Sequence, residues 1–272
     1  MVTTTPNPPT KKPDPDPEEE LLSGKQMSFL EHLEELRQRL IRCVLGICIA
    51  FGVCFYYSDT IYGFLAKPLT DTLRALHLSD KLVFTNPTDP FNLYIKLSLV
   101  VGLFLASPYV LWQVWLFISP GLYRHEKRYV WPFVLMTSSL FIAGGMFAYY
   151  MAFPAALKFL VTFGKRFQPM ISINEYWNLA LTIIVGVGIV FELPVVILVL
   201  SLFGIVTPRF LLRQVRYAVL ITAIVAAAIA PTPDLTSLFM FWIPMVGLYF
   251  LSIGLSWIVY LRRKWKKKHE QA

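Results

Sequence analysis

Long apolar stretches are the feature that most constrains this sequence of 272 residues. Six of them lie near residues 40–57, 97–118, 130–152, 178–204, 216–230 and 237–259. A helix of about 20 apolar residues crosses the roughly 30 Å hydrocarbon layer of a bilayer. Because 56% of the residues are apolar and only 15% are charged, too few polar side chains remain to cover a soluble domain of this length. The sequence therefore predicts an all-α polytopic membrane protein with six transmembrane helices.

The last two predicted spans are expected to be short. The fifth, near 216–230, has about 15 residues, which is roughly 23 Å of helix. Such a helix crosses a standard bilayer only if the bilayer thins locally or a water-filled recess takes up part of the thickness.

Lys and Arg side chains are concentrated at alternate ends of the predicted spans. One side of the membrane receives 18 of them and the other side 7. Since basic residues accumulate in cytoplasmic loops, both termini are predicted to face the cytoplasm. This distribution also accounts for the net charge of +8, so we predict no nucleic-acid partner, which would favour a single basic patch.

The two ends of the chain are predicted to flank a membrane domain at residues 27–262. Residues 1–26 are rich in proline and acidic residues and predict a disordered cytoplasmic tail without a cleavable signal peptide. Residues 263–272 form a basic cytoplasmic tail. Before the first span, an amphipathic helix begins near Ser28, and its apolar residues recur at helical spacing. They are Phe29, Leu30, Leu33, Leu36 and Leu40.

Two groups of charges near the predicted cytoplasmic surface have alternative interpretations. On the entry helix, Glu35 lies close in sequence to Arg37 and Arg39, a mixture that is either solvated surface or part of a site. In the loop over residues 117–128, Glu126 is one acid among three cations. It is either a local counter-ion or part of a site for an incoming cation.

Glu192 lies in the middle of the fourth predicted span. A carboxylate at that depth costs at least about 2.5 to 3.5 kcal/mol, so it predicts a cavity, a partner or a structural bond to a neighbouring helix. Pro194 removes one backbone donor and predicts a kink with a concave face. The external link over residues 231–234 reads as a tight turn, in which Asp234 is either a turn residue or has a further role.

Motifs for ordinary enzyme chemistry are absent from the sequence. It contains no GxxxxGK[ST] loop, no HExxH and no cysteine-histidine cluster, and its histidines lie outside the predicted spans. Cys43, Cys48 and Cys54 fall in the first predicted span and are interpreted as small packing residues. We therefore predict a protein that is not an enzyme and that has no metal and no cofactor.

The order of several motifs resembles that of the TatC family, whose members are the receptor subunit of the twin-arginine (Tat) protein export system. The opening pattern HLxELRxRL is matched from His32 to Leu40. Further matches follow in the family's order: Lys67-Pro68-Leu69, Ser107-Pro108, Tyr109 to Trp115, Phe117 to Arg128, Phe147-Ala148-Tyr149, Phe153-Pro154, Phe191 to Pro194, and Ile243-Pro244. The resemblance covers about residues 27–262, and its specificity lies in the conjunction of these motifs.

The resemblance implies a glove-shaped six-helix receptor that binds the signal peptides of folded cargo at its cytoplasmic face. It implies that Glu35 and Glu126 contact the paired arginines of the signal peptide. A carboxylate can meet a planar guanidinium with two hydrogen bonds, whereas lysine offers a point charge. The other residues that the resemblance implies for this surface are Arg37, Arg39, Phe117 and Lys127.

The resemblance also implies protein partners in a bacterial inner membrane. Glu192, next to Pro194, matches an intramembrane position that contacts the single-span TatA and TatB proteins, and export is driven by the proton gradient. Pro68 and Asp234 match external positions that are important for assembly, in a complex with several copies of the chain in contact with membrane lipid. The external link reads Pro-Thr-Pro-Asp, where the family usually has Thr-Pro-Pro-Asp.

An alternative function is proton-coupled transport of a small solute, with Glu192 as the ion site. Against it, Glu192 is the one acidic residue within the predicted spans, and no internal repeat suggests two inverted halves. A membrane-embedded enzyme would need a catalytic pair, which the sequence does not offer.

Overall fold

The computed structural model describes residues 29–75, 82–118, 130–164, 170–232 and 234–270. Within these ranges the regular structure is helical apart from one isolated β-bridge. A π-helical segment, Ala148–Ala152, joins α5 to α6. The helices are α1 (Phe29–Tyr56), α2 (Ser58–Leu65), α3 (Lys67–Ala75), α4 (Asp89–Ile118), α5 (Val130–Phe147), α6 (Phe153–Phe163), α7 (Ile173–Val190), α8 (Leu193–Leu202), α9 (Pro208–Arg213), α10 (Val215–Ile229) and α11 (Leu235–Glu270).

The chain divides into two compact units, residues 1–38 and 39–272. The described part of the first unit is the beginning of α1, and the second unit contains the remaining helices.

Five helical stretches of the described residues are long and apolar enough to cross a membrane. A sixth, α10, is apolar but has only 15 residues. The prediction of an all-α fold with six membrane helices and a short fifth span is confirmed. The five longer stretches are Glu31–Tyr56, Asp89–Ile118, Phe133–Phe163, Ile173–Leu202 and Leu235–Leu261.

The last helix differs from the short span that the sequence suggested. α11 has 36 residues, of which the apolar part, Leu235–Leu261, has 27. The prediction ended this span where the charged residues begin, but Lys and Arg are good helix formers and continue the helix. Pro244 lies inside α11 without ending it.

α4 also begins earlier than predicted, at Asp89 rather than near residue 97. The Asp89 carboxylate is buried and accepts hydrogen bonds from the backbone N–H groups of Thr85, at 3.1 Å, and Asn86, at 3.0 Å. The longer helix contains Asp89 and Lys96, so Glu192 is not the one acidic residue in the membrane-spanning helices. The prediction missed both because it started the span at the first continuous apolar run.

α7 lies at the centre of the largest group of buried side chains. Trp177, Ala180, Ile183 and Val187 recur at helical spacing along one face, and each is at most 2% exposed. These residues pack with buried residues of α3, α4, α6, α10 and α11. α7 therefore fixes the position of the residues that follow it.

Two backbone contacts tie the segments outside the spans to this bundle. The backbone N–H of Val83 donates to the carbonyl of Ile171 at 3.0 Å, and the N–H of Ile173 donates to the carbonyl of Val83 at 2.9 Å. The Tyr149 hydroxyl donates to the carbonyl of Phe64 at 2.6 Å. α2 and the segment before α4 are therefore held against the ends of α5, α6 and α7.

Candidate functional site

The fourth span is interrupted at Glu192. α7 ends at Val190 and α8 begins at Leu193, with a turn between them. Pro194 has no N–H to donate to the carbonyl of Val190, so the regular helical bond is missing there. The carbonyl of Glu192 begins the next helix and accepts from the N–H groups of Val195, at 3.0 Å, and Val196, at 3.1 Å. The kink that Pro194 predicts is therefore present, and Glu192 lies in it.

A close helix contact holds this break in place. A Cβ atom built on Gly144 of α5 would lie 2.8 Å from the Cβ of Phe191 and 3.0 Å from the Cα of Gly188. Only glycine permits so close an approach of two helices. Phe147, one turn after Gly144, stacks on Phe191 with ring centroids 5.8 Å apart. The residue before Glu192 is thus fixed by packing on two sides.

The carboxylate of Glu192 is half-buried, and its Oε1 atom has no hydrogen-bond partner among the described residues. Within that part of the chain, nothing provides the structural bond to a neighbouring helix that the sequence left open. A buried acceptor without a partner carries a free-energy penalty that a donor from another molecule would relieve. The arrangement is suited to binding a polar group presented within the membrane.

A second group of polar side chains lies near the end of α4. Phe117 is half-buried at the penultimate residue of the helix. Gln113, one turn before Phe117, and Trp115, two residues before it, are buried, and the Gln113 Oε1 and Trp115 Nε1 atoms have no partner among the described residues. The Trp115 ring stacks on Phe133 with centroids 3.8 Å apart. Sequence reasoning missed Gln113, although a glutamine in an apolar stretch was a signal that could have found it.

An open apolar groove of about 210 Å³ lies between α4 and α5. Trp112 and Trp131 stack across it with ring centroids 6.2 Å apart. Trp112 precedes Phe117 by five residues, roughly 7.5 Å along a helix. The groove therefore opens close to the end of α4. Its lining residues are Pro108, Tyr109, Trp112, Trp131 and Val134.

The residues predicted for the signal-peptide surface are only partly described. Glu35 and Arg37 lie on α1 in the first unit, and Arg39 lies on the same helix at the start of the second unit. Glu126 and Lys127 lie outside the described residues. Their assembly with the other residues of this surface stays a prediction.

The two predicted external residues both lie at the beginning of a helix. Pro68 is the second residue of α3, and its carbonyl accepts from the Thr72 hydroxyl at 2.6 Å. Asp234 precedes α11, and its Oδ2 atom accepts from the N–H of Ser237 at 2.8 Å, as an N-cap residue does. Desolvation raises the pKa of the Asp234 carboxyl, but the hydrogen bonds from Thr232 and Ser237 outweigh it and hold that pKa below its usual value.

Lys96 is a further polar residue that the sequence prediction missed. Its Nζ atom donates to the side-chain oxygens of Asn174, at 3.2 Å, and Asn178, at 2.8 Å. The two asparagines are one turn apart on α7, so Lys96 links α4 to α7. Among the described residues, no cluster of three or more His, Cys, Asp or Glu side chains could hold a metal ion.

Comparison with known proteins identifies the family. Residues 31–244 match the family described as "Sec-independent protein translocase protein (TatC)". The chain belongs to the TatC family. The TatC protein of Koribacter versatilis (strain Ellin345) is 49% identical over 247 residues, which cover 91% of this chain and 91% of that protein. The TatC protein of Aquifex aeolicus (strain VF5) is 36% identical over 241 residues, which cover 88% of this chain and 98% of that protein.

Solved TatC structures have the same fold. A crystal structure of the twin arginine translocase receptor TatC superposes with a TM-score of 0.72 at 37% identity, covering 85% of this chain and all of that one. A second TatC crystal structure, in DDM, gives a TM-score of 0.73 and covers 83% of this chain and 99% of that one. The predicted resemblance to TatC is therefore confirmed over most of the chain.

Proposed function

We propose that this chain is the core receptor of a twin-arginine protein export system and binds the signal peptides of folded proteins. The observation that carries this proposal is the match to the TatC family over residues 31–244, together with the likeness to TatC receptor structures. TatC is a family of translocase proteins and not a known family of enzymes. The similarities give no support to the alternative of a small-solute transporter that uses Glu192.

The same proposal places the chain in the bacterial inner membrane with both termini in the cytoplasm. The bias of 18 basic residues against 7 supports this orientation. The end of α4, the loop that follows it and the segment around α9 then face the cytoplasm. Pro68 and Asp234 then face the outside, where we propose that they contribute to assembly of several copies of the chain.

Glu35 and Glu126 are the proposed partners of the two signal-peptide arginines. A hydrogen bond to a charged group contributes about 1.5 to 3 kcal/mol when it is sheltered from water, whereas an exposed ion pair contributes about 0 to 1 kcal/mol. Discrimination of arginine from lysine therefore requires a sheltered site. The other residues proposed to orient this surface are Arg37, Arg39, Phe117 and Lys127.

The groove beside Phe117 supports the same assignment. A signal peptide carries a stretch of apolar residues next to its charged segment. If the charges are held at the end of α4, the apolar stretch must enter the membrane close by. The stacked rings of Trp112 and Trp131 offer it an apolar surface at that depth.

Glu192 is the proposed contact for the single-span TatA- and TatB-type partners. Its Oε1 atom accepts no hydrogen bond from the described residues, and the regular helix is interrupted beside it, before Pro194. A polar contact between membrane helices contributes on the order of 1 kcal/mol. That value suits a partner that is recruited and released as the proton gradient drives export.

The signal-peptide proposal is tested by cross-linking a labelled twin-arginine peptide to the purified full-length protein. Glu126→Ala should abolish the cross-link, because one guanidinium loses its carboxylate. Glu18→Ala in the N-terminal tail is the matched control and should cross-link normally. A peptide with both arginines changed to lysine should cross-link weakly, and equal yields for both peptides would reject the receptor assignment.

The partner proposal is tested by co-purification of TatA- and TatB-type proteins with the receptor. Glu192→Ala should reduce co-purification while leaving peptide cross-linking normal. Glu175→Ala, an exposed carboxylate on the first turn of α7, is the matched control. Unchanged co-purification with Glu192→Ala would contradict the role of this residue.

A further inference from the structure

The segment that joins the fourth and fifth spans carries positive charge alone. Between Glu192 and Asp234 the sequence has three arginines, Arg209, Arg213 and Arg216, and no acidic residue. The three side chains are exposed on α9 and the first turn of α10. Among the described residues, no carboxylate contacts any of them. We call these three residues the arginine surface.

α9 is held rigidly with this surface outward. Pro208 and Leu211 are buried on the opposite face of the helix. The Tyr249 hydroxyl of α11 donates to the carbonyl of Leu211 at 2.8 Å. At the other end, the Thr207 side chain accepts from the N–H of Phe210 at 3.3 Å. Arg209 and Arg213 are therefore presented by a fixed helix and not by a loose loop, and Arg216 follows on the first turn of α10.

Large apolar side chains are exposed between the arginines. Phe210 is 52% exposed and Leu212 is 47% exposed, and both lie between Arg209 and Arg213. Apolar groups beside arginine are typical of a helix that lies in the membrane interface, with its apolar residues in the acyl region and its cations at the headgroups. A segment that faced only water would leave this apolar area unburied.

The exposed face of α10 places the arginine surface at headgroup depth. Tyr217, Leu220, Ile221 and Ile224 recur at helical spacing, and each is at least half exposed. This stripe is suited to lipid tails, with Tyr217 at its outer end, where aromatic residues mark the interface. Arg216 immediately precedes Tyr217, so the arginine surface begins where the apolar stripe ends.

Arg216 is already oriented for an anionic ligand. Its guanidinium lies over the Tyr217 ring, 4.9 Å from the ring centroid, and its Nη2 atom donates to the Tyr217 hydroxyl at 3.3 Å. Stacking occupies one face of the guanidinium and leaves N–H donors at its edge. A planar guanidinium donates two parallel hydrogen bonds to a phosphate, which lysine cannot do.

We propose that the arginine surface binds the headgroup of an anionic phospholipid, with the lipid phosphate held by Arg209, Arg213 and Arg216. The apolar residues of α9 and the stripe on α10 contact the acyl chains. α10 is only 15 residues long, so either the bilayer beside it thins or a water-filled recess takes up part of the thickness. The bound lipid holds the headgroup layer against the end of this short span.

Labelling with photoactivatable lipids tests the site on the full-length protein. The protein is placed in bilayers that contain equal amounts of phosphatidylglycerol and phosphatidylcholine, with the photoactivatable group near the headgroup of either lipid. Adducts on residues 207–217 are then measured by mass spectrometry. Phosphatidylglycerol should label this peptide severalfold more than phosphatidylcholine, because both lipids have a phosphate but only the first has a net charge.

Three variants separate a lipid site from general positive charge. Replacing all three arginines with glutamine should reduce phosphatidylglycerol labelling severalfold, to the level seen with phosphatidylcholine, because the preference for the anionic lipid comes from their charge. Replacing the three arginines with lysine should keep part of the phosphatidylglycerol labelling. Labelling of this variant would show that the segment still folds when the three residues are substituted. Removal of three other cations, by Arg262→Gln, Arg263→Gln and Lys264→Gln, should leave labelling of residues 207–217 unchanged.

Several outcomes would overturn the proposal. Equal labelling by the two lipids, or undiminished labelling of the glutamine variant, would show that these arginines do not select a lipid. An equal loss of labelling in the control variant would show that the effect comes from the net charge of the protein and not from these three arginines. Competition by inorganic phosphate would indicate a site for the free anion.

Discussion

Alanine at Gly144 should loosen the contact that holds the break at Glu192. A Cβ atom there would lie 2.8 Å from the Cβ of Phe191 and 3.0 Å from the Cα of Gly188. These neighbours are backbone or adjoin it, so no side-chain rotation relieves the overlap. α5 and α7 must move apart, and the turn that carries Glu192 must move with them. We therefore expect lower stability and weaker association with the single-span partners.

The size of the effect follows from two opposing contributions. Overpacking a well-filled contact costs about 1 to 3 kcal/mol. Alanine also has a higher helix propensity than glycine, which returns up to about 1 kcal/mol. Gly247→Ala on α11 isolates the second contribution, because no atom lies within 4 Å of a Cβ built there. The free energy of unfolding should therefore differ between the two variants by about 1 to 3 kcal/mol.

Unfolding in mixed micelles measures this difference. Sodium dodecyl sulfate is titrated into the protein in a mild detergent, and loss of helix is followed by circular dichroism. Gly144→Ala should unfold at a lower mole fraction of dodecyl sulfate than Gly247→Ala. If the two variants unfold together, the approach of α5 to α7 is not tight, and the reasoning is refuted.

Three further substitutions test other contacts in the same unfolding assay. Tyr249→Phe should lower the free energy of unfolding by about 0.5 to 1.5 kcal/mol, because the carbonyl of Leu211 loses the Tyr249 hydroxyl and keeps the N–H of Gln214 as a donor; no change would mean that water replaces the hydroxyl. Asp234→Asn should remove a pH-dependent contribution to the free energy of unfolding. Its carboxyl has a lower pKa in the folded protein than the usual 3.8, so it stabilises fully above that value and less as pH falls through the folded pKa. An unchanged pH profile would contradict the cap on Ser237. Lys96→Met should cost about 1 kcal/mol, because two asparagine oxygens lose their donor; wild-type stability would contradict that link.

The spans could be predicted from the sequence because their signal is local. A run of apolar residues long enough to cross a bilayer forms few structures other than a transmembrane helix. The break near Pro194 was predictable for the same reason, since a missing N–H acts on its own helix. Glu192 also stood out without any structure, because a carboxylate is costly in hydrocarbon.

What the sequence could not supply depends on contacts between distant segments. The π-helical turn at Ala148–Ala152 has no local signal, and it continues the third span well beyond its predicted end. The approach of Gly144 to Phe191 and the bonds of Lys96 depend on how helices pack. The charge of Lys96 delayed the predicted start of the second span to residue 97, although its ammonium group donates hydrogen bonds to two asparagine oxygens of α7.

The backbone bonds of Val83 with Ile171 and Ile173 have a consequence for the order in which the protein is made. They close a ring of chain that contains α4, α5 and α6. Val83 leaves the ribosome long before its partners, so the ring stays open until the start of α7 has been synthesised and has reached the same side of the membrane. The beginning of the second span and the end of the third therefore reach their final positions only after the fourth span has begun to insert.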